Sequence, residues 1–450
     1  LNLNPLFISF LKCGLFTQKK MYKHQFDALK AVCVDNKNLV ITTGTGSGKT
    51  ESFLMPLMHQ IINEAQNWQS KKEAGIRALL LYPLNALAED QMIRLRRSLD
   101  SDEARKWYSN NLQSNKITFG RYNGKTPVSG GKVRGKIQEL KDYRDSLAID
   151  IASFSSSSVK EKMRYNFSSL DIESSELFDR WSMQDTPPDL LITNYSMLNI
   201  MLMRKIEDKM FEQTKAWLQN DPWHKLPNSS QPTRVFQLVI DELHTYRGTP
   251  GTEVAYLIRL LLDRLGLTPN SKQFKFLATS ASIPDNKKTL DFLKDFTGIS
   301  GNVGEKFSII SNEKETLIHK PIKNTFSKYI DSFKQFRSDY IKMGDDAISK
   351  FLMAHNWSYP QSSSIKDIKS ELCKFLIKND LYETFKHFNI KQQNQVETHQ
   401  EISLRLFSSP NNLEATEGVL IAFANATNDD DLPLISFRSH MFFRNSIGLW

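Results

Sequence analysis

Residues 43 to 50 read Thr-Gly-Thr-Gly-Ser-Gly-Lys-Thr, a set of residue types suited to holding phosphate. Gly44, Gly46 and Gly48 let the backbone turn tightly and aim its amides at phosphate oxygens. Lys49 supplies a charge for the β- and γ-phosphates, and the Thr50 hydroxyl is suited to Mg²⁺. Thr43 stands where the general G-x-x-x-x-G-K-[ST] pattern has its first glycine. Thr45 and Ser47 occupy variable positions, and the three later glycines already give the loop its freedom. The alternative is a plain Gly-rich turn. Against it, an apolar run precedes the loop at 38–42, and Leu54, Leu57, Met58, Ile61, Ile62 and Ala65 recur after it at helical spacing. A helix starting there puts the positive end of its dipole behind the phosphates.

A second constellation follows the apolar run 234–240, where the chain continues Asp241, Glu242, Leu243, His244. A carboxylate at a strand's end can hold Mg²⁺ through its water shell, and its neighbour can orient and deprotonate an attacking water. The alternative is a surface acidic pair closing a strand. A third group, Thr279-Ser280-Ala281-Ser282, ends another apolar run. The loop alone does not separate an ATPase from a small-molecule kinase, whereas the acidic pair points to hydrolysis.

These groups need a scaffold that brings them to one edge. Nearly uninterrupted apolar runs recur at 38–42, 77–82, 116–122, 189–194, 234–241 and 274–280, as in strands buried on both faces of a parallel sheet. Amphipathic segments lie between them, so the fold class is α/β, a mostly parallel sheet with helices on both faces. In such sheets ligands bind beyond the carboxyl ends of the strands. Residues 1–20 form an N-terminal segment and 21–300 the nucleotide-binding domain. Insertions interrupt that domain at about 123–188, with Lys125, Lys132, Arg134, Lys136 and a serine run, and at 207–233. From 301 to 450 the pattern is mainly α-helical, with Phe326, Tyr329, Ile330, Phe333 and Phe336 on one helix face.

Lys and Arg exceed Asp and Glu by 59 to 50, a balance that permits a polyanionic partner without demonstrating one. Cys13, Cys33 and Cys373 have neither disulfide-framework nor zinc spacing, so a reducing, cytoplasmic setting fits. No apolar run reaches the roughly 18 residues a membrane helix needs.

TGTGSGKT, DELH and TSAS resemble motifs I, II and III of the superfamily 2 DExH-box helicases. YKHQFDAL (22–29) is similar to their Q motif, LYPLNALAEDQ (81–91) to motif Ia, and FGRYNGKTP (119–127) with ITNYSMLNIMLMR (192–204) to the Ib and Ic region. DELHTYRG followed by GTEVAYLIRLL resembles the YprA/MrfA-like branch, which includes large anti-phage defence helicases of the Druantia and DISARM type. The resemblance implies a RecA-like P-loop NTPase domain using ATP and Mg²⁺. Gln25 and Tyr22 would contact adenine, with Thr43 to Thr50 cradling the phosphates and Thr50 and Asp241 on Mg²⁺. Lys49, Asp241, Glu242 and His244 would be catalytic, and Ser280, Ala281 and Ser282 would couple them to nucleic acid, DNA before RNA. Pro83, Asn85, Arg121, Thr193, Asn194 and Ser196 would meet its phosphates, although Asn85 serves equally well as a helix N-cap. Arg94, Arg96 and Arg97 suit a solvated helix face.

A helicase of this class needs a second RecA-like domain carrying an arginine finger, worth about 10³ to 10⁵ in rate. No such pattern follows residue 285, and LPLISFRSHMFFRNSIGLW (432–450) resembles the lead into that missing half. The expectation is therefore the N-terminal ATP-binding half of an ATP-dependent helicase or translocase, weakly active by itself. The alternative is an ATP-gated nucleic-acid-binding subunit completed by a partner chain.

Overall fold

The computed structural model describes residues 1–435 except 2, 17–20, 44–47, 69–71, 84, 154–164, 166, 168–173, 227–230, 247, 281–282, 284–285, 312–324, 361–362, 391–397 and 429–432. The chain divides into two compact units, Leu1–Asn312 and Glu313–Trp450. Among the described residues no helix is long and apolar enough to cross a membrane.

Eight strands form the sheet of the first unit: β1 (Asn38–Thr42), β2 (Ala78–Leu81), β3 (Phe119–Arg121), β4 (Glu176–Leu177), β5 (Leu190–Thr193), β6 (Phe236–Ile240), β7 (Phe274–Thr279) and β8 (Phe307–Ser311). Their order is β4-β3-β5-β2-β6-β7-β1-β8, and every neighbouring pair is parallel. Period-2 alternation sends Leu39 and Ile41 of β1 into one core and Val40 into the other, and divides β2 and β5 the same way. The first core is covered by α1 (Pro5–Phe10), α2 (Lys23–Leu29), α3 (Lys49–Ala65), α4 (Asn85–Leu99) and α5 (Asp102–Asn111). The insertion helices α6 (Arg134–Ser153) and α7 (Arg180–Asp185) follow. The second core is covered by α8 (Tyr195–Met203), α9 (Asp208–Gln219), α10 (Thr249–Arg264) and α11 (Lys287–Thr297).

Several expectations change here. Residues 1–20 are not a separate segment: Phe7 and Phe10 are fully buried in the first core. The sheet also extends past residue 300, because β8 pairs along the whole of β1. Its burial is only partial, with Phe307 in the second core and Ile310 in the first, so it lacks the continuous apolar signal that reveals a central strand. Strand β4 is too short to be read from sequence, yet Glu176 at its start accepts two guanidinium hydrogen bonds from Arg96, at 2.7 and 2.8 Å. Arg96 is therefore buried rather than solvated. The basic stretch of the first insertion begins a largely exposed helix, where Lys132 and Lys136 pair with Asp185 and Glu139.

A buried charge cluster closes the amino end of the sheet. The Arg77 guanidinium meets both oxygens of Glu64, at 2.9 and 2.6 Å, and Asp189 at 2.7 Å. It lies between the Trp68 and Trp217 rings, 5.1 and 4.8 Å from their centroids. A planar cation fits that slot as a lysine ammonium cannot.

The second unit is helical, from α12 (Ile330–Met343) through α13 (Asp346–Ala354), α14 (Ile365–Lys378), α15 (Leu381–Ile390) and α16 (His399–Phe407) to α17 (Leu413–Asn425). Its core holds Phe326, Phe333, Phe336, Phe351, Phe375, Phe407 and Phe423, with Tyr329 and Ile330 only partly covered. Gly418 is required by packing, since a Cβ there would strike the Phe333 carbonyl. Most of 432–450, including Arg438, His440 and Arg444, lies outside the described residues.

Candidate active site

The strand order brings three distant sequences to one level. Ile41 of β1 lies beside Thr279 of β7, and Ala278 lies beside Ile240 of β6. The first residues beyond these strands therefore share the carboxyl edge: Thr43, Ser280 and Asp241. Ser280 is tied down by its backbone N–H, which donates to the Ile41 carbonyl at 2.8 Å.

Gly44, Thr45, Gly46 and Ser47 lie outside the described residues, but both ends of their loop are defined. Thr43 is buried. Gly48 has φ +79°, which favours glycine, and a Cβ there would lie 2.5 Å from Gln25 Nε2. Lys49 and Thr50 form the first turn of α3. Gln25 is fully buried; its Oε1 accepts from the Tyr22 N–H at 3.0 Å and its Nε2 donates to the Gly48 carbonyl at 3.3 Å. The Gln25 carboxamide thus spans the start of α2 and the end of the loop, while the exposed Tyr22 ring stacks on His24.

The Lys49 ammonium is 3.8 Å from a Glu242 carboxylate oxygen, and its Nζ is buried without a hydrogen-bond partner among the described residues. Glu242 itself is left-handed, with φ +50° and ψ +50°, a conformation that costs a non-glycine residue about 1–2 kcal/mol. That turn separates its direction from that of Asp241 immediately before it. His244 Nδ1 lies 3.2 Å from the other Glu242 oxygen and 3.3 Å from the Ser280 hydroxyl, bridging motifs II and III. Ala281 and Ser282 lie outside the described residues.

Sequence reasoning missed Thr279 as a site residue. Its buried hydroxyl donates to Asp241 Oδ1 and accepts from the Glu242 N–H at 3.4 Å. Burial pushes Asp241 above the ordinary carboxylate range and Glu242 adds to that, while the Thr279 hydrogen bond and Lys49 oppose it. The available signal was its place at the end of the strand that separates β1 from β6.

The expected nucleic-acid residues divide. Asn85 starts α4, Asn194 caps α8 by accepting from the Met197 N–H at 2.8 Å, and Ser196 is exposed. Thr193 departs from its expected role as a phosphate contact: it is buried and its hydroxyl donates to the Tyr122 carbonyl at 2.7 Å. Arg121 is engaged in an ion pair with Glu89. Arg94 reaches across to Glu51 in the first turn of α3, at 2.7 Å, and so ties the loop helix to α4.

The residues fit a Mg²⁺ nucleotide. Buried polar atoms of native proteins are normally partnered, yet among the described residues Lys49 Nζ and Glu51 Oε2 in the first turn of α3 have no hydrogen-bond partner. Among the described residues no cluster of three or more His, Cys, Asp or Glu forms a metal cage.

Fold and site together define a RecA-like P-loop NTPase domain. Residues 22–124 match the DEAD/DEAH box helicase family. Druantia protein DruE of Escherichia coli strain UMEA 4076-1 is 32% identical over 98% of this chain and 26% of its own length. The uncharacterized ATP-dependent helicase YprA of Bacillus subtilis strain 168 is 24% identical over 60% of this chain and 24% of its own. The DUF1998 helicase MrfA bound to DNA, a solved structure, is 18% identical with a TM-score of 0.39, over 84% of this chain and 43% of that one. The chain is thus similar to ATP-dependent helicases of the DEAD/DEAH box class, the Druantia and YprA proteins among them. It spans about a quarter of the length of each of these two curated relatives.

Proposed function

We propose that the chain is the ATP-binding half of an ATP-driven helicase or translocase acting on nucleic acid, DNA before RNA. The observation that carries this is the buried Lys49 ammonium, without a hydrogen-bond partner among the described residues and 3.8 Å from Glu242 at the carboxyl edge of the sheet. Lys49 neutralises the β- and γ-phosphates, Thr50 and Asp241 hold Mg²⁺, and Thr279 fixes the Asp241 carboxylate. Bound there, Mg²⁺ would neutralise phosphate charge. Glu242 orients the attacking water and takes its proton, and His244 relays the change to Ser280. Gln25 and Tyr22 meet the adenine. The ATP-binding lobe comprises residues 1–312, and the helical unit beyond it is accessory. The spacing of Cys13, Cys33 and Cys373 suits a reducing, cytoplasmic setting. The Druantia relative raises phage defence as the setting.

The test is ATP turnover by the longer parent protein with single-stranded DNA, duplex DNA and RNA in parallel. DNA should stimulate it most, and Glu242→Gln should remove turnover while leaving ATP binding intact. Turnover indifferent to every nucleic acid would refute the motor reading.

A further inference from the structure

Three loops at the carboxyl edge meet through three carboxamides. Asn85 follows β2, Asn123 follows β3 and Asn194 follows β5. Asn123 Nδ2 donates to Asn85 Oδ1 at 3.1 Å, and Asn194 Nδ2 donates to the same oxygen at 3.0 Å.

Backbone contacts dictate which way each amide faces. Asn123 Oδ1 accepts from the Lys125 N–H at 2.9 Å, and Asn194 Oδ1 accepts from the Met197 N–H at 2.8 Å. Only a carbonyl oxygen can receive a backbone N–H, so both residues must turn their NH₂ groups toward Asn85. Asn85 answers with its oxygen, and its own NH₂ has to face away. Among the described residues nothing accepts from Asn85 Nδ2, and the side chain is half-exposed. Asn123 is itself buried and braced, its N–H donating to Thr126 Oγ1 at 2.9 Å and its carbonyl accepting from Arg180 at 2.7 Å.

We propose that Asn123 and Asn194 are positioning residues that lock the Asn85 carboxamide with its NH₂ outward, as a fixed donor to one phosphate of a bound nucleic-acid strand. This deepens the proposed function and rests on it. A donor held in one orientation need not be ordered when the strand arrives, and the reverse orientation would present an oxygen to an anion. The lock thus reads the sign of its ligand. Neither Asn123 nor Asn194 needs to touch the strand through its side chain.

The variant that separates this from ordinary packing is Asn194→Asp. Aspartate is as good an N-cap as asparagine, so α8 keeps its start, but the oxygen now facing Asn85 can only accept. Asn85 must then be drawn toward the flipped state. Binding of a fluorescein-labelled oligodeoxythymidylate by the 450-residue chain should weaken about tenfold, the scale of one charge-assisted hydrogen bond. Added negative charge alone would also weaken binding, so the substitution is repeated in an Asn85→Ala background. A penalty shrinking there to about twofold or less supports the lock, since without the Asn85 carboxamide only the charge effect remains. An equal penalty in both backgrounds overturns it. Asn123→Asp should behave in the same way, and thermal melting reports whether either variant has lost its fold. Absence of any binding by the parent chain would refute the proposed function itself, a result distinct from failure of the lock.

Discussion

Replacing Thr279 by valine keeps the shape of the side chain and removes one hydroxyl. That hydroxyl donates to Asp241, a carboxylate which burial has already pushed above its ordinary value of 3.8. A hydrogen bond to a charged group contributes about 1.5–3 kcal/mol, so the apparent Mg²⁺ affinity for nucleotide binding should fall about 10- to 150-fold. The pH dependence has a definite sign. A carboxylate whose folded pKa exceeds its unfolded one holds a proton that the unfolded chain releases, so stability falls as pH rises through the interval between them. Thr279→Val moves the upper end of that interval higher. Its stability loss should therefore be small below the ordinary carboxylate value, where Asp241 is protonated in both states, and should grow toward neutral pH. Mg²⁺ titrations of fluorescent ATP-analogue binding, with thermal melting at acid and neutral pH, measure both effects. Unchanged Mg²⁺ midpoints together with a pH-independent stability loss would refute the assignment.

Arg77→Met should destabilise the first unit by about 3–5 kcal/mol in denaturant unfolding, because it leaves Glu64 and Asp189 buried with Lys72 as the remaining cation beside Asp189; Arg77→Lys should recover little of this. Burial lowers Lys275 to about 8, so the folded chain gives up that proton before the unfolded chain does. Stability should accordingly rise between about pH 8 and 10.5 relative to Lys275→Met, and parallel melting curves of the two proteins across that range would contradict this.

What the sequence revealed and what it hid follow from the range of the interactions involved. The phosphate loop and Asp241-Glu242 are local patterns, each legible from a strand, a turn and a few residues. The role of Thr279 depends on a partner 38 residues away, which it meets only because β7 is inserted between β1 and β6. Asn85 and Asn194 are 109 residues apart, and nothing local marks Asn123 as the third member of their group. The resemblance puts Thr193 at nucleic-acid phosphates, whereas the register of β5 against β2 and β3 leaves it buried with its hydroxyl on the Tyr122 carbonyl. The central strands announced themselves through continuous apolar runs; β4 and β8, lying at the edges, did not.

The central claim is that Lys49 stands in a working nucleotide site. Equilibrium binding of a fluorescent ATP analogue with Mg²⁺ to the 450-residue chain and to its Lys49→Ala variant tests it most directly. Saturable binding by the parent chain, lost in the variant while its melting temperature is unchanged, is the predicted result; equal affinity in the two proteins would contradict it.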